Sequence, residues 1–389
     1  MSIMPGAMLG LLGGGQLGRM FTMAAQSMGY RITVLDPANN SPAGNVADRH
    51  LRADYLDSYA LRELASTCTG ITTEFENVPA ESLKILTEHC VVSPPAGSVA
   101  ITQNRILEKK FLVANGFAVT PFAVVQNSSE MLPQTHPELF PGILKVSRLG
   151  YDGKGQARID NAAKLDAAFA DMKREPCVLE QLLLLDNEVS VVVARGFDGE
   201  VVAFLAAENH HRHGILDVSI VPARISPAIV RDACDTAIRV AEKLDYHGVL
   251  CVEFFVLADG RLLVNEIAPR PHNSGHYTLD ACVTSQFEQQ VRVLCGLPLG
   301  ATAMQGAAVM VNLLGDLWRR GEPKWEEVLR HPHVKLHLYG KLDARPGRKM
   351  GHYTVLAGTT EAALRLALEI KLSLAACRTS RIKKPLKIS

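Results

Sequence analysis

Between residues 7 and 92 the chain alternates short apolar runs with segments of helical spacing, and few folds accept that rhythm. Ala7 to Leu12 is apolar throughout. Gln16 to Met28 then places Leu17, Met20, Ala24 and Met28 on one face of a helix. Arg31 to Leu35 is a second strand, Leu61 to Thr67 lies in a second helical stretch, and Ile71 to Thr73 is a buried strand that ends at Glu74-Phe75-Glu76-Asn77. Strand, helix and strand repeated in this way predict a parallel, doubly wound sheet. Ser93-Pro94-Pro95 reads as the linker that closes this unit.

The first strand-to-helix turn, Gly13-Gly14-Gly15-Gln16-Leu17-Gly18, fits the G-x-G-x-x-G pattern, and Asp36 ends the next strand. Glycines there let backbone approach a phosphate, and the helix N-terminus supplies positive potential. The pattern alone leaves three readings open: a nicotinamide or flavin dinucleotide, a tight turn with no ligand, or the phosphate or body of a small substrate.

Beyond Ser98 the pattern changes. Gln103 to Asn115 is helical, Phe122 to Val125 and Ile143 to Val146 are strands, and a Gly-rich stretch follows: Gly150-Tyr151-Asp152-Gly153-Lys154-Gly155-Gln156. Cys177 to Gln181, Glu188 to Val193, Val201 to Ala206, Val249 to Leu257 and Arg261 to Ile267 are further strands, with an amphipathic helix over Ile229 to Leu244. Antiparallel strands mixed with helices predict an α+β body. From about Ala307 come a strand, a basic segment near Lys341 to Lys349, a helix over about Glu361 to Ala376, and a basic tail from Arg378. The expected division is 1–95, 96–300 with a flap lobe near 120–183, and 301–389. There are no internal repeats.

Composition excludes some classes. Lys plus Arg (41) nearly equals Asp plus Glu (40), which argues against a general nucleic-acid or membrane-surface binder. No apolar run is long enough to span a bilayer. Met1 to Leu12 lacks a basic leader and reads as a buried strand and not as a signal peptide. The eight cysteines form no C-x-x-C pair, so they are expected to be reduced thiols of a cytoplasmic protein and not a zinc site.

Several residues suit phosphate chemistry. Lys145 closes a strand just ahead of the Gly150–Gln156 loop, whose amides and Lys154 suit a polyphosphate, although the spacing is not the Walker pattern. Glu180-Gln181-Leu182-Leu183 follows an apolar strand, where a carboxylate and open backbone would read an adenine edge, and Glu188 would accept from ribose hydroxyls. With Asp259-Gly260 as a two-residue type I′ turn, Leu257 faces Leu262 and Glu253 faces Glu266. Two acids opposed among apolar strands need a shared proton or a cation. A hard divalent ion with oxygen ligands is the simplest answer, and Asn265 could add a neutral oxygen. A one-residue slip would put the two acids on opposite faces. The clusters His210/His211/His213 and His272/His276 have superficial metal spacing, but Pro271 and Gly275 break the helix that the second pair would need.

Lys145, the glycine loop, Glu180 to Leu183, Glu188 and the Glu253/Asn265-Glu266 pair occur in an order that resembles the ATP-grasp superfamily. Gly13 to Met20, Glu74 to Asn77, Gly150 to Gln156, Asn265 to His276, Tyr339-Gly340-Lys341 and Arg348 to His352 are similar to the N5-carboxyaminoimidazole ribonucleotide synthetase family. The likeness runs from about residue 8 to about 360. It implies a pre-ATP-grasp domain, a two-lobed ATP-grasp domain and a small β-rich C-terminal domain. It also implies a homodimer that carboxylates 5-aminoimidazole ribonucleotide with bicarbonate and ATP, through carboxyphosphate, in purine synthesis. On that resemblance, ATP would be bound by Arg105, Lys145, Gly150, Tyr151, Asp152, Gly153, Lys154, Gly155, Gln156, Glu180, Gln181, Leu182, Leu183, Glu188 and His211, with Asn265 and Glu266. Glu253 and Glu266 would hold Mg2+. The ribonucleotide would meet Gln16, Leu17, Glu74, Asn77, Asp152, Arg270, His272, Asn273, Lys341 and Arg348, and the reacting groups would be touched by Lys145, Asp152, Arg270 and His272. The competing readings are another ATP-grasp ligase, such as a formate-dependent transformylase or a biotin-dependent carboxylase component, an NAD-dependent oxidoreductase built on the first loop, and a regulatory nucleotide-binding protein.

Overall fold

The computed structural model describes residues 2–126, 136–150, 155–319 and 321–376. The N-terminal unit is a five-stranded parallel sheet of β1 (Met8–Leu12), β2 (Arg31–Leu35), β3 (Arg49–Leu51), β4 (Gly70–Thr73) and β5 (Val91–Ser93), in the order β3-β2-β1-β4-β5. Helices Gln16–Ser27 and Ser58–Thr67 connect its strands. Four of the five residues of β1 are buried, as helices on both faces require. Asp57 caps the second helix by accepting from the N–H groups of Tyr59 and Ala60.

The expected helix Gln103 to Asn115 is Arg105–Ala114, and a separate helix, Ala96–Thr102, runs up to it. Asn104 breaks the run, because its side chain accepts from the N–H groups of Ile106 and Leu107 and starts a new helix.

A four-stranded antiparallel sheet follows: β6 (Phe122–Val125), β7 (Gly142–Val146), β8 (Gln156–Ile159) and β9 (Cys177–Gln181), ordered β6-β9-β7-β8. The largest sheet has nine strands: β10 (Leu185–Arg195), β11 (Val201–Ala203), β12 (Ala207–Arg212), β13 (Ile215–Val221), β14 (Gly248–Leu257), β15 (Leu262–Ala268), β16 (Ala307–Leu314), β17 (Val334–Leu338) and β18 (Lys349–Ala357). Its order is β15-β14-β10-β12-β13-β16-β18-β17, with β11 paired to β10. The C-terminal strands thus extend the central sheet through the β13–β16 ladder and do not form a sheet of their own. Helix Pro227–Lys243 covers one part of this sheet, and helix Thr360–Ala376 packs on β16 and β18. The basic tail lies outside the described residues. Among the described residues, no helix is long and apolar enough to cross a membrane.

Candidate active site

The acidic pair meets as expected, but by a different route. Leu257 N–H donates to Arg261 O, and Gly260, at φ +84, lies in the left-handed region, so the turn holds three residues and not two. That moves the register by one: Val256 faces Leu262, and Phe254 faces Val264. A β-bulge between Glu253 and Phe254 leaves Asn265 unpaired and moves the register back, so Glu253 does face Glu266.

Both carboxylates line a cleft of about 1000 Å³. Glu253 Oε1 lies 2.9 Å from His272 Nε2, and Glu266 Oε2 accepts from Arg105 Nη1 at 3.0 Å. The bulged Asn265 lines the same cleft, and its Oδ1 is buried without a hydrogen-bond partner. Three oxygen donors, one of them orphaned, fit the preference of a hard divalent cation.

Arg105 also lines the cleft, and its helix turns Glu108 and Lys109 inward behind it. Neither was singled out from the sequence, where they are two charges in an ordinary helical run. Lys109 is fully buried; Nζ donates to Asn265 O at 3.1 Å and lies 3.5 Å from Glu180 Oε1. Glu108 accepts from Ile267 N–H at 2.6 Å, and burial pushes its carboxyl up to about 8.

Lys145 Nζ donates to Glu180 Oε2 at 2.7 Å. Burial works against the Glu180 carboxylate, yet Lys145 and Lys109 hold it well below the usual range. The carboxylate expected to read an adenine amino group is paired here with these two lysines. In the adjoining backbone Gln181 N–H donates to Pro121 O and Leu182 N–H to Pro141 O. Glu180 to Leu183 do not line the cleft. Ile143, Leu185 and Phe255 do, and they supply apolar walls that the motif reading missed. Glu188 lies 3.1 Å from His211; burial lowers the basicity of that imidazole, and the Glu188 carboxylate more than restores it.

Gly150–Gln156 joins β7 to β8. Gly155 has φ +69, and a Cβ there would lie 2.5 Å from Val146 Cγ2, so only glycine fits. Gly150 and Gln156 line the cleft. Tyr151, Asp152, Gly153 and Lys154 lie outside the described residues.

The first glycine loop is already occupied by the chain's own anions. Gly14 N–H donates to Asp36 Oδ2 at 2.7 Å, and Gly15 and Gly18 N–H donate to the two Glu74 oxygens at 2.9 and 3.0 Å. Glu74 thus fills the helix N-terminus that a dinucleotide phosphate would need, and Asp36 is further held by Tyr55 OH at 2.8 Å. Burial raises the Glu74 carboxyl even against those two N–H bonds. Gln16, Leu17 and Glu74 still border the cleft.

The cleft is also lined by Arg270, His272, Asn273, Lys341, Arg348 and Lys349, with Arg345, which the motifs had not included. Arg270 is paired with Glu76, and Lys341 Nζ donates to Lys349 O at 2.8 Å. Asn273 and Asn312 exchange amide hydrogen bonds at 3.1 and 2.7 Å. Asn77 lies off the main cleft, in a smaller cavity it shares with Glu76, Arg105, Glu266 and Arg270.

The other histidines have separate partners. His210 lies 2.8 Å from Glu208, and His276 Nδ1 lies 3.3 Å from Gln286 Nε2. Among the described residues, Asp280, His337 and His352 bring three potential metal donors together. The rings of His337 and His352 are stacked, however, with centroids 4.6 Å apart and planes 16° apart, so their lone pairs run in parallel planes and do not converge.

Known proteins share this domain order and fold. The chain matches the ribonucleotide synthetase preATP-grasp domain over residues 7–103, the ATP-grasp domain over 110–287, and the phosphoribosylaminoimidazole carboxylase C-terminal domain over 308–366. Fold and site therefore define an ATP-grasp ligase. An N5-carboxyaminoimidazole ribonucleotide synthase of Bacillus subtilis is 45% identical over 354 residues, covering 91% of this chain and 92% of the relative. One of Brucella melitensis is 46% identical over 355 residues, covering 91% and 97%. An N5-carboxyaminoimidazole ribonucleotide synthetase solved as its ADP complex superposes with a TM-score of 0.88 at 43% identity, covering 96% of this chain and 98% of that one. An Aspergillus clavatus N5-carboxyaminoimidazole synthase solved with ADP and 5-aminoimidazole ribonucleotide has a TM-score of 0.87 at 31% identity, covering 95% and 99%. The chain belongs to the N5-carboxyaminoimidazole ribonucleotide synthase family.

Proposed function

We infer that this chain carboxylates the amino group of 5-aminoimidazole ribonucleotide with bicarbonate and ATP, giving N5-carboxyaminoimidazole ribonucleotide for purine biosynthesis. The observation that carries the reading is one cleft lined both by an acidic, oxygen-rich pair and by a basic loop. The chemistry balances as two displacements. A bicarbonate oxygen attacks the γ-phosphorus and ADP leaves, forming carboxyphosphate. The amine nitrogen then attacks the carboxyl carbon, phosphate leaves, and the nitrogen gives up a proton.

Lys145, Arg105 and the loop around Gly150–Gln156 are proposed to meet the ATP phosphates, with Glu188 and His211 at the ribose and the base against Ile143, Leu185 and Phe255. Each of these basic groups is now paired with a carboxylate: Lys145 with Glu180, Arg105 with Glu266, His211 with Glu188. A triphosphate of high negative charge competes for those partners, so nucleotide entry exchanges ion pairs and does not create charge in the cleft. Glu253, Glu266 and Asn265 would hold magnesium, which when bound supplies positive charge to the transferring phosphoryl oxygens. Lys341, Arg345 and Arg348 suit the ribonucleotide phosphate, and Arg270 suits bicarbonate oxygens. We further propose a homodimer, on the family resemblance, and a cytoplasmic location; the free state of all seven described cysteines supports a reducing compartment. ADP release measured with and without 5-aminoimidazole ribonucleotide, and with bicarbonate or formate, tests the activity. Strict dependence on the ribonucleotide and bicarbonate is expected, and turnover with formate instead would overturn it.

A further inference from the structure

His272 lines the cleft beside the acidic pair, and only one of its nitrogens faces Glu253. Nε2 lies 2.9 Å from Glu253 Oε1. Nδ1 points the other way, 2.8 Å from Ser274 Oγ, and Ser274 N–H also approaches it at 3.3 Å. From Ser274 a line of buried polar groups runs across β10, β12 and β13. Ser190 Oγ donates to Ser274 Oγ at 2.7 Å, Asn209 Nδ2 donates to Ser190 Oγ at 2.8 Å, and Ser219 Oγ donates to Asn209 Oδ1 at 2.8 Å. Relative exposures are 1% for Ser190, 6% for Asn209, and 0% for Ser219 and Ser274.

The strands dictate this placement. Ser190 on β10 lies directly opposite Glu253 on β14, and Asn209 on β12 lies directly opposite Ser219 on β13. Four polar side chains buried here, among strands otherwise filled by Val189, Val191 and Leu216, carry a desolvation cost unless each is satisfied. They satisfy one another in series, and the series ends on the ring nitrogen that faces away from the cleft. A hydroxyl has a single proton, so each link constrains the next. With Ser190 Oγ already accepting from Asn209, its own proton goes to Ser274. The Ser274 hydroxyl is thereby left to engage His272.

We propose that Ser274, Ser190 and Asn209 are positioning residues, a buried hydroxyl–amide relay that locks the His272 ring with Nε2 toward Glu253 and the reacting groups. None of them touches the cleft contents; they act through His272. This rests on the activity inferred above, with His272 beside the reacting atoms. A metal-bound or catalytic imidazole held through its second nitrogen depends on such partners by about 10–100-fold.

The test is a double-mutant cycle on the full chain, with carbamate-forming turnover as readout. Ser190→Ala is expected to lower kcat about tenfold or more while KM for ATP stays within about twofold. In a His272→Gln background the same substitution should change kcat by less than about twofold, because the ring it positions is gone. An equal drop in both backgrounds, or none in the parent, would overturn the proposal. Asn209→Ala gives the same cycle should Ser190→Ala fail to fold. Imidazole 15N spectra provide a readout that needs no turnover. Ser190→Ala should move the His272 Nδ1 resonance and leave the other histidines in place, and an unmoved resonance refutes the relay. If the parent turns over nothing yet the resonance moves, the inferred activity fails and the relay stands.

Discussion

Replacing Asn265 with alanine should separate folding from ion binding. The Asn265 Oδ1 is buried with no partner, and a buried acceptor in that state costs about 1–3 kcal/mol relative to a satisfied one. Without a divalent ion, Asn265→Ala removes an unsatisfied atom and nothing that holds the fold. The contact from Lys109 goes to the main-chain oxygen and survives. In chelator the variant should therefore unfold at the parent's temperature or slightly above it. With the ion, the parent regains the free energy that the orphaned oxygen had cost, and the variant does not. At about 1.4 kcal/mol per decade, that is a rise of about five- to 150-fold in half-saturating magnesium. The assay is ribonucleotide-dependent ADP formation titrated with Mg2+, beside thermal unfolding in chelator. A half-saturation unchanged within about twofold, or a clear drop in unfolding temperature without the ion, would refute the assignment of Asn265 as an ion ligand.

Two further outcomes are expected. Glu108 has its carboxyl raised from 4.5 to about 8 by burial, so the folded chain retains a proton that the unfolded chain releases between those values. Its contribution to stability is complete below the unfolded value and is lost as pH rises through the folded one. Glu108→Gln should melt close to the parent near pH 5 and above it near pH 9, and a parent-like decline toward pH 9 would contradict this. Gly15→Ala places a Cβ 2.7 Å from Glu74 Oε1. Displacing that carboxylate should destabilise by about 1–3 kcal/mol in denaturant unfolding and raise KM for the ribonucleotide more than for ATP.

The parallel N-terminal sheet, the positions of most strands and the facing of Glu253 with Glu266 were legible because apolar period and turn residues encode them. The facing came out correctly although the turn did not. A three-residue turn and a bulge at Asn265 shift the register in opposite senses, and neither asparagine nor glycine in a strand pair announces which geometry it takes. The glycine loop stayed ambiguous for a related reason. G-x-G-x-x-G reports a close approach to an anion but not whose anion it is, and here Asp36 and Glu74 arrive from the next strands. Glu180 was read as a free carboxylate because Lys109, 71 positions earlier in the chain, gives no local sign that it will be buried against it. The basic loop was found in part: Lys341 and Arg348 through motifs, but Arg345 only through its place in the cleft.

The β13–β16 ladder has a mechanical consequence. It fuses the strands that carry Glu253, Glu266 and His211 with those that lead into the basic loop, so one continuous plate carries both groups. A plate stitched by hydrogen bonds along its whole width does not fold shut on its contents. Among the described residues the four-stranded sheet has no ladder to it, and it brings Lys145 to the cleft wall as a separate jaw. Lys109, rooted in the helix before that jaw, touches both parts: Glu180 on the jaw and the Asn265 carbonyl on the plate. A swing of the small sheet would leave the spacing of the acidic pair and the basic loop unchanged, because both belong to the plate.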